Sequence, residues 1–326
     1  MVRKVILDVD TGIDDALAIL LALASPELEV VGVTCVAGNI TLDHVVRNTL
    51  AVLEVAGGHI PVAVGARKPL VAPLTTATYF HGANGIGGIQ LPEPASEPID
   101  VDAASYLVQR AREQPGEIFL VPTGPLTNVA LAILKDADFV TNLAGITVMG
   151  GAVAHPGNAK GAAEANFRND PEAAAVVVAA GGVRLVDLGI TSTAELPMER
   201  LAPAARRQLT PPAKLALDLL DFYGPMYVAA GARGAVLHDP LAVALVAQPD
   251  LAIFKPLHLE VETAGNVSRG ASVGSFDETV SIVEPADDHL DVVGLAPRPF
   301  NATVPRDLDS AAFLDLFMRR LGLGPT

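Results

Sequence analysis

The chain has 326 residues, half of them apolar, and a formal net charge of −15 at pH 7. Nucleic acid and anionic membrane surfaces want a basic face and drop out as partners, whereas a small neutral or cationic substrate or a metal cation fits. A single cysteine, Cys35, excludes both an intrachain disulfide framework and a cysteine-ligated zinc cluster.

Lys4–Asp8 is short, β-branched and bounded by turn residues, which predicts a buried strand. Asp14–Ala24 reads as a helix stopped by Ser25-Pro26. Leu28–Val36 is a second strand, and Thr41–Ala56 a second helix ending at Gly57-Gly58. Such a βαβ unit is nearly always a right-handed parallel crossover. The alternation returns with strand Ile118–Val121, helix Leu126–Leu134, strand Ile146–Met149, helix Pro171–Ala180 and strand Val183–Leu188. It predicts an α/β fold with a doubly wound, mostly parallel open sheet flanked by helices. After Thr191 helical insertions are expected, roughly Ala202–Leu209, Ala213–Ala230 and Pro240–Val246. A β-like stretch, Leu257–Val283, and a closing helix, Ser310–Leu321, follow. No Ser/Gly-rich linker or repeat divides the chain, so residues 1–326 read as one domain. Leu70–Pro98 and Gly150–Asp170 read as long functional loops. Apolar runs such as Ala173–Ala180 are far too short to span a bilayer. With no signal-peptide pattern ahead of the first strand, the expectation is a soluble, cytoplasmic protein.

Asp8, Asp10, Asp14 and Asp15 crowd one strand end and the helix start after it. Ligands of open parallel sheets bind beyond the carboxyl ends of the strands, where this cluster falls. Helix capping accounts for one or two such aspartates but not four. A hard divalent cation with oxygen ligands accounts for the set. Two classes of protein place acids there. A Mg²⁺-dependent haloacid-dehalogenase-type phosphatase uses Asp-x-Asp-x-Thr, but Gly12 stands at its threonine position and the few lysines have no suggestive setting.

The other class matches along essentially the whole chain. Asp8-Val-Asp10-Thr-Gly-Ile-Asp14-Asp15 resembles the signature of the inosine-uridine-preferring nucleoside hydrolases, with Thr11 where that family commonly has proline. Ala37-Gly38-Asn39, His81-Gly82-Ala-Asn84-Gly85, Val121-Pro-Thr123-Gly-Pro-Leu-Thr-Asn128 and Val148-Met149-Gly-Gly151 follow in family order. Gly157-Asn158, Ala163-Glu164-Ala-Asn166, Asp170-Pro-Glu-Ala, His238-Asp239-Pro240 and Ser268-Arg269-Gly270 complete the series.

The resemblance implies hydrolysis of the N-glycosidic bond of ribonucleosides to ribose and free base. It implies Ca²⁺ held by Asp10, Asp15, the carbonyl of Thr123 and Asp239, with Asp10 also the general base. Asp8 would be structural. Asp14, Asn39, Asn158, Glu164, Asn166 and Asp239 correspond to ribose contacts, and Met149 would lie beneath the sugar. His238 aligns with the histidine near the base and could protonate it. His81 and Asn84 would lie at the pocket mouth. Tyr223 and Tyr227, four apart on a predicted helix, share one face and could close over the base. The chain has no tryptophan, which removes indole stacking and favours an inosine-uridine or pyrimidine preference. A homotetramer or homodimer is expected from the resemblance. A non-catalytic nucleoside-binding protein of the same fold is the remaining alternative; the intact metal-ligand set speaks against it.

Overall fold

The structure is a computed structural model and describes residues 2–159, 161–202, 208–277 and 298–324. Its elements are β1 (Arg3–Val9), α1 (Ile13–Leu23), β2 (Leu28–Cys35), α2 (Leu42–Val55), β3 (Val62–Val64), α3 (Thr78–His81), α4 (Ala103–Glu113), β4 (Ile118–Pro122), α5 (Thr127–Lys135) and β5 (Gly145–Met149). There follow α6 (Ala165–Asn169), α7 (Pro171–Ala180), β6 (Val183–Val186), α8 (Leu188–Thr191), β7 (Glu195–Pro197), α9 (Pro211–Ala229), β8 (Gly234–Val236), α10 (His238–Ala247), β9 (Ala252–Val261), β10 (Ser272–Ser275), β11 (Ala302–Leu308) and α11 (Ser310–Arg320).

One nine-stranded sheet has the order β10-β9-β11-β6-β5-β4-β1-β2-β3. From β11 to β3 every pairing is parallel, while β9 and β10 add an antiparallel edge. The order runs outward in both directions from β1 and β4, so the carboxyl ends of these neighbours form the switch-point crevice where ligands bind in open α/β sheets. Helices cover both faces. One core gathers apolar side chains of α1, α2, α9, α10 and α11, and the other those of α4, α5 and α7.

The residues of β1 from Val5 to Val9 are buried, as a central strand covered on two faces requires. α1 is apolar nearly all round and buried from Ile13 to Ala22, between the sheet and its neighbours α10, α9 and α2. Its start is fixed by Asp15, whose carboxylate accepts from the Gly12 N–H at 3.0 Å. Its end is closed by Ser25, whose hydroxyl donates to the Leu21 carbonyl at 2.7 Å. The aspartate loop is therefore clamped between a central strand and a helix that are both buried around it.

The elements expected from alternation are present, with ends shifted by a residue or two. The differences have local causes. α4 buries a stripe of small and aliphatic residues (Ala103, Ala104, Leu107, Val108, Ala111), too weak a period to stand out in the sequence. β11 was hidden by Pro305, at which its pairing with β9 shifts register. The presumed loops carry short helices, α3 and α6, and the region after Thr191 also holds the β7–β8 pair. Of the helix expected over Ala202–Leu209, residues 203–207 lie outside the described residues, as do residues 278–283 of the β-like stretch. Among the described residues no helix is long and apolar enough to cross a membrane.

Candidate active site

The acids of the opening motif meet at the β1/β4 switch point and are almost wholly removed from solvent. Asp10 leaves β1, and its Oδ2 accepts from the Asn39 N–H at 2.6 Å. Its Oδ1 is buried without a hydrogen-bond partner. Gly38 makes the Asn39 contact possible: a Cβ there would stand 2.1 Å from Asp10 Oδ2 and 2.7 Å from Pro125. Asp15 is the most heavily solvated by protein. Its Oδ1 accepts from the Thr123 hydroxyl at 2.7 Å and the Asp10 N–H at 3.3 Å. Its Oδ2 accepts from Gly12 N–H at 3.0 Å and Asn39 Nδ2 at 3.2 Å. Asp14 Oδ2 takes the first N–H groups of α10, His238 and Asp239, each at 3.2 Å, and its Oδ1 is buried and unpaired.

Burial pushes the carboxyls of Asp10, Asp14 and Asp239 well above their ordinary range, and mutual repulsion adds to it. For Asp239 the repelling charges are those of Asp14, Asp15, Asp10 and Glu164. Such a cluster is stable as anions only beside a cation. Among the described residues no three acidic, imidazole or thiol side chains form a ready-made metal cage. The physical reason is visible at Asp15, whose oxygens are turned onto N–H and hydroxyl donors. The fit therefore rests on a mixed oxygen set, with the free Oδ1 of Asp10 and the carbonyl of Thr123 in it, which is the chemistry of a hard cation. That carbonyl accepts from Asn166 Nδ2 at 2.7 Å and retains a second lone pair.

Asp8 lies behind this layer. Its Oδ1 accepts from the Thr34 hydroxyl at 2.5 Å and from Asn128 Nδ2 at 2.8 Å, and burial raises its pKa to about 7. Asn128 also donates to the Cys35 carbonyl and accepts from Ala66 N–H, so this part of the fourth motif ties β1, β2 and the following loop together. Thr11, where proline is common, is satisfied by Thr49: the two hydroxyls are 2.6 Å apart.

Glu164 caps α6, with Oε1 accepting from Asn166 N–H and Oε2 from Phe167 N–H and Gly151 N–H. Gly151 sits at φ 74°, where a side chain would be strained. Met149 ends β5, and its sulfur is 3.7 Å from Asn166 Nδ2. Asn158 is brought less close. It is exposed, and its Oδ1 accepts from Ala165 N–H at 3.0 Å. Asn84 closes its own loop through Ile89, Ile86 and Gly88. Two further motifs join each other through Arg269, which grips both oxygens of Glu172 at 2.6 and 2.8 Å.

An aromatic wall stands beside the acids. His238 Nε2 is 2.9 Å from the Tyr227 hydroxyl, which is 3.3 Å from that of Tyr223. Tyr223 lies close enough to Asp14 for its hydroxyl to offset part of the burial effect there. His81 Nδ1 accepts from the Ile13 N–H at 3.2 Å, so its ring proton is on Nε2. Burial pushes both His81 and His238 down to about 4, which keeps them neutral at pH 7. Two members were not expected. Phe80 sets its ring edge-to-face on His81, Tyr223 and Tyr227, with centroids 5.5, 5.4 and 5.3 Å away. Thr191, at the end of α8, places its hydroxyl 2.7 Å from His238 Nδ1. The adjacency of Phe80 to the His81 motif was a usable signal for the first; Thr191 had only its position beyond the end of β6.

A hollow of about 410 Å³ opens at the opposite, amino edge of the sheet, between Phe119, Thr147, Arg184 and Thr303. It is lined by no carboxylate, so chemistry and not volume locates the site.

Fold and cleft together define an open α/β protein of the small-molecule-binding kind, with buried acids at its switch point beside an aromatic wall. Comparison with known proteins specifies it: the model of the inosine-uridine preferring nucleoside hydrolases matches residues 5–315, and the chain belongs to this family. It is therefore an N-ribosyl hydrolase of a metal-dependent family. Uridine nucleosidase 1 of Arabidopsis thaliana is 40% identical over 81% of this chain and 79% of its own. The pyrimidine-specific ribonucleoside hydrolase RihA of Shewanella woodyi is 37% identical over 98% of each chain. Among solved structures, the plant nucleoside hydrolase PpNRh1 superposes with a TM-score of 0.88, at 33% identity and 98% coverage of both chains. The phosphatase alternative falls with this match.

Proposed function

We propose that the protein hydrolyses pyrimidine ribonucleosides, uridine foremost, using Ca²⁺ and Asp10 as general base. The observation that carries the reading is Asp10 itself: one oxygen is pinned by Asn39 N–H, and the other is buried and free. A carboxylate so held accepts a proton at a fixed point, and burial, which raises its pKa, makes it a stronger base than an exposed aspartate. Asp10, Asp15, the Thr123 carbonyl and Asp239 would hold the cation. It would supply charge that neutralises the carboxylates, orients sugar hydroxyls and acidifies water. For Asp15 to take part a side-chain donor turns away from it, the rotatable Thr123 hydroxyl on Oδ1 or the Asn39 amide on Oδ2.

Asp14, Asn39, Glu164, Asn166, Asp239 and, from the rim, Asn158 are assigned to the ribose hydroxyls, with Met149 beneath the ring. Glu164 and Asn166 are held by backbone and carbonyl partners, so they meet the sugar pre-oriented. A site made to pair each hydroxyl rejects the 2′-deoxy sugar strongly. Water taken from one face while the base leaves the other gives inversion at the anomeric carbon, without a covalent intermediate. His238, His81, Tyr223 and Tyr227 form the base side. Pyrimidine preference is supported by the activities for which the two relatives above are named and by the absence of tryptophan. A cytoplasmic homodimer or homotetramer goes with this reading.

The test is ribose release from a panel of ribonucleosides and 2′-deoxyribonucleosides, with and without chelator and without added phosphate. Chelator-sensitive release from uridine and cytidine ahead of purine ribosides is expected. Release from deoxyribosides at a comparable rate, or indifference to chelator in protein freed of metal, would overturn the assignment.

A further inference from the structure

The base-side wall contains one polar group with no role in the scheme above, the hydroxyl of Thr191. It is fully buried, and among the described residues its only hydrogen-bond partner is His238 Nδ1, 2.7 Å away. A hydroxyl carries a proton that must go somewhere, and a buried donor left unpaired is rare and unfavourable. With a single partner available, the Thr191 O–H donates to His238 Nδ1. Nδ1 is then the acceptor, and the one proton of the neutral ring sits on Nε2. At the far side of the ring, Nε2–H donates to the Tyr227 oxygen at 2.9 Å. The phenol proton of Tyr227 is thus not spent on the histidine. In the free protein its neighbour is the Tyr223 hydroxyl at a long 3.3 Å.

We infer that Thr191 is a positioning residue that fixes the tautomer of His238, so that the Tyr227 O–H stays free to donate a hydrogen bond to the departing base. The inference rests on the proposed reaction. It involves hydrogen-bond donation to the base as negative charge develops on it, not transfer of a proton from the histidine. The opposite tautomer reverses the polarity: Tyr227 would donate to Nε2 and turn its lone pairs, not its proton, toward the base. Orientation by a neighbour that never touches substrate is common around imidazoles with a defined task.

Two measurements test it. Nitrogen chemical shifts of the His238 ring in the wild-type protein report the tautomer directly. A protonated Nε2 and a pyridine-like Nδ1 are expected, and a protonated Nδ1 would overturn the inference whatever the kinetics. The second compares uridine with 4-nitrophenyl β-D-ribofuranoside, whose leaving group departs without a hydrogen bond. Thr191→Val should lower kcat on uridine by roughly 10-fold or more, leave KM nearly unchanged and spare the nitrophenyl riboside. Thr191→Ser, which restores the hydroxyl, should recover most of the uridine activity. Equal losses on both substrates would mark a merely structural role and overturn the inference alone. A wild-type protein inactive on both would instead bring down the proposed function and the inference with it.

Discussion

Asp10, Asp14 and Asp15, backed by Asp8, reach the floor of the cleft from one short stretch, whereas Phe80, Tyr223, Tyr227 and His238 reach its wall from three helices far apart in the chain. The floor is made rigid by backbone: Asn39, Gly12 and the first N–H groups of α10 hold the carboxylates, and α1 behind them is buried from Ile13 to Ala22. The wall is made of side chains touching side chains, through ring edges and hydroxyls. Deleting one member of the floor leaves buried N–H donors unpaired and removes an oxygen proposed for the cation, which is severe. Deleting one member of the wall loosens contacts that neighbours partly retain.

The largest effect should follow Asp10→Ala. Turnover of uridine should fall by about 10³-fold or more, since the base and a metal oxygen are lost together. Circular dichroism should remain native. A folded, fully active variant would break the assignment of the floor.

Next comes the stability of metal-free protein against pH. Burial raises Asp8 to about 7 in the folded state, from 3.8 when exposed. The folded protein thus holds this proton more tightly than the unfolded chain. The stability it contributes is fully present below pH 4 and is lost as pH rises through 7. A shift of that size corresponds to at most about 4 kcal/mol. Asp10, Asp14 and Asp239 are raised too and act in the same direction. In chelator, the urea midpoint should therefore be higher at pH 5 than at pH 8, and Asp8→Asn should flatten part of the slope. Calcium should offset the loss at pH 8. The reverse slope in chelator would mean the floor is not desolvated.

His238→Ala should reach the wall with a smaller effect, about 10²-fold in kcat on uridine, with calcium affinity unchanged. A fall in calcium affinity equal to that of Asp10→Ala would erase the distinction between floor and wall.

The same contrast decides what could be read from the sequence. Local acids on a strand–turn–helix with regular apolar flanks were visible as a unit, and so was the α/β alternation around them. Asp8, read as structural, is tied down by Asn128 from a distant motif, a contact that no spacing within the first motif discloses. Thr191 and Phe80 carry no such local pattern. Each is an ordinary residue on a short helix, α8 or α3, and is brought to the wall only by tertiary packing. β11 is the structural counterpart, since Pro305 masks its period although parallel pairing with β6 fixes it in the sheet.

The smallest effect tests the wall at its least polar member. Phe80 makes four edge-to-face contacts, to Tyr79, His81, Tyr223 and Tyr227, and no hydrogen bond through its side chain, so Phe80→Leu preserves apolar burial while removing the directional part of those contacts. Each such contact contributes about 0.5–1.5 kcal/mol beyond area, and the leucine recovers some of it by packing. The base side should widen slightly, so that KM for uridine rises several-fold, roughly the equivalent of 1 kcal/mol. The proposed cation ligands and general base are other residues, so kcat and calcium affinity should stay near wild type. Kinetics on uridine with a parallel calcium titration separates the two. A KM effect alone keeps wall and floor independent, whereas a fall in kcat would mean that Phe80 acts through Tyr227 and His238 on the departure of the base.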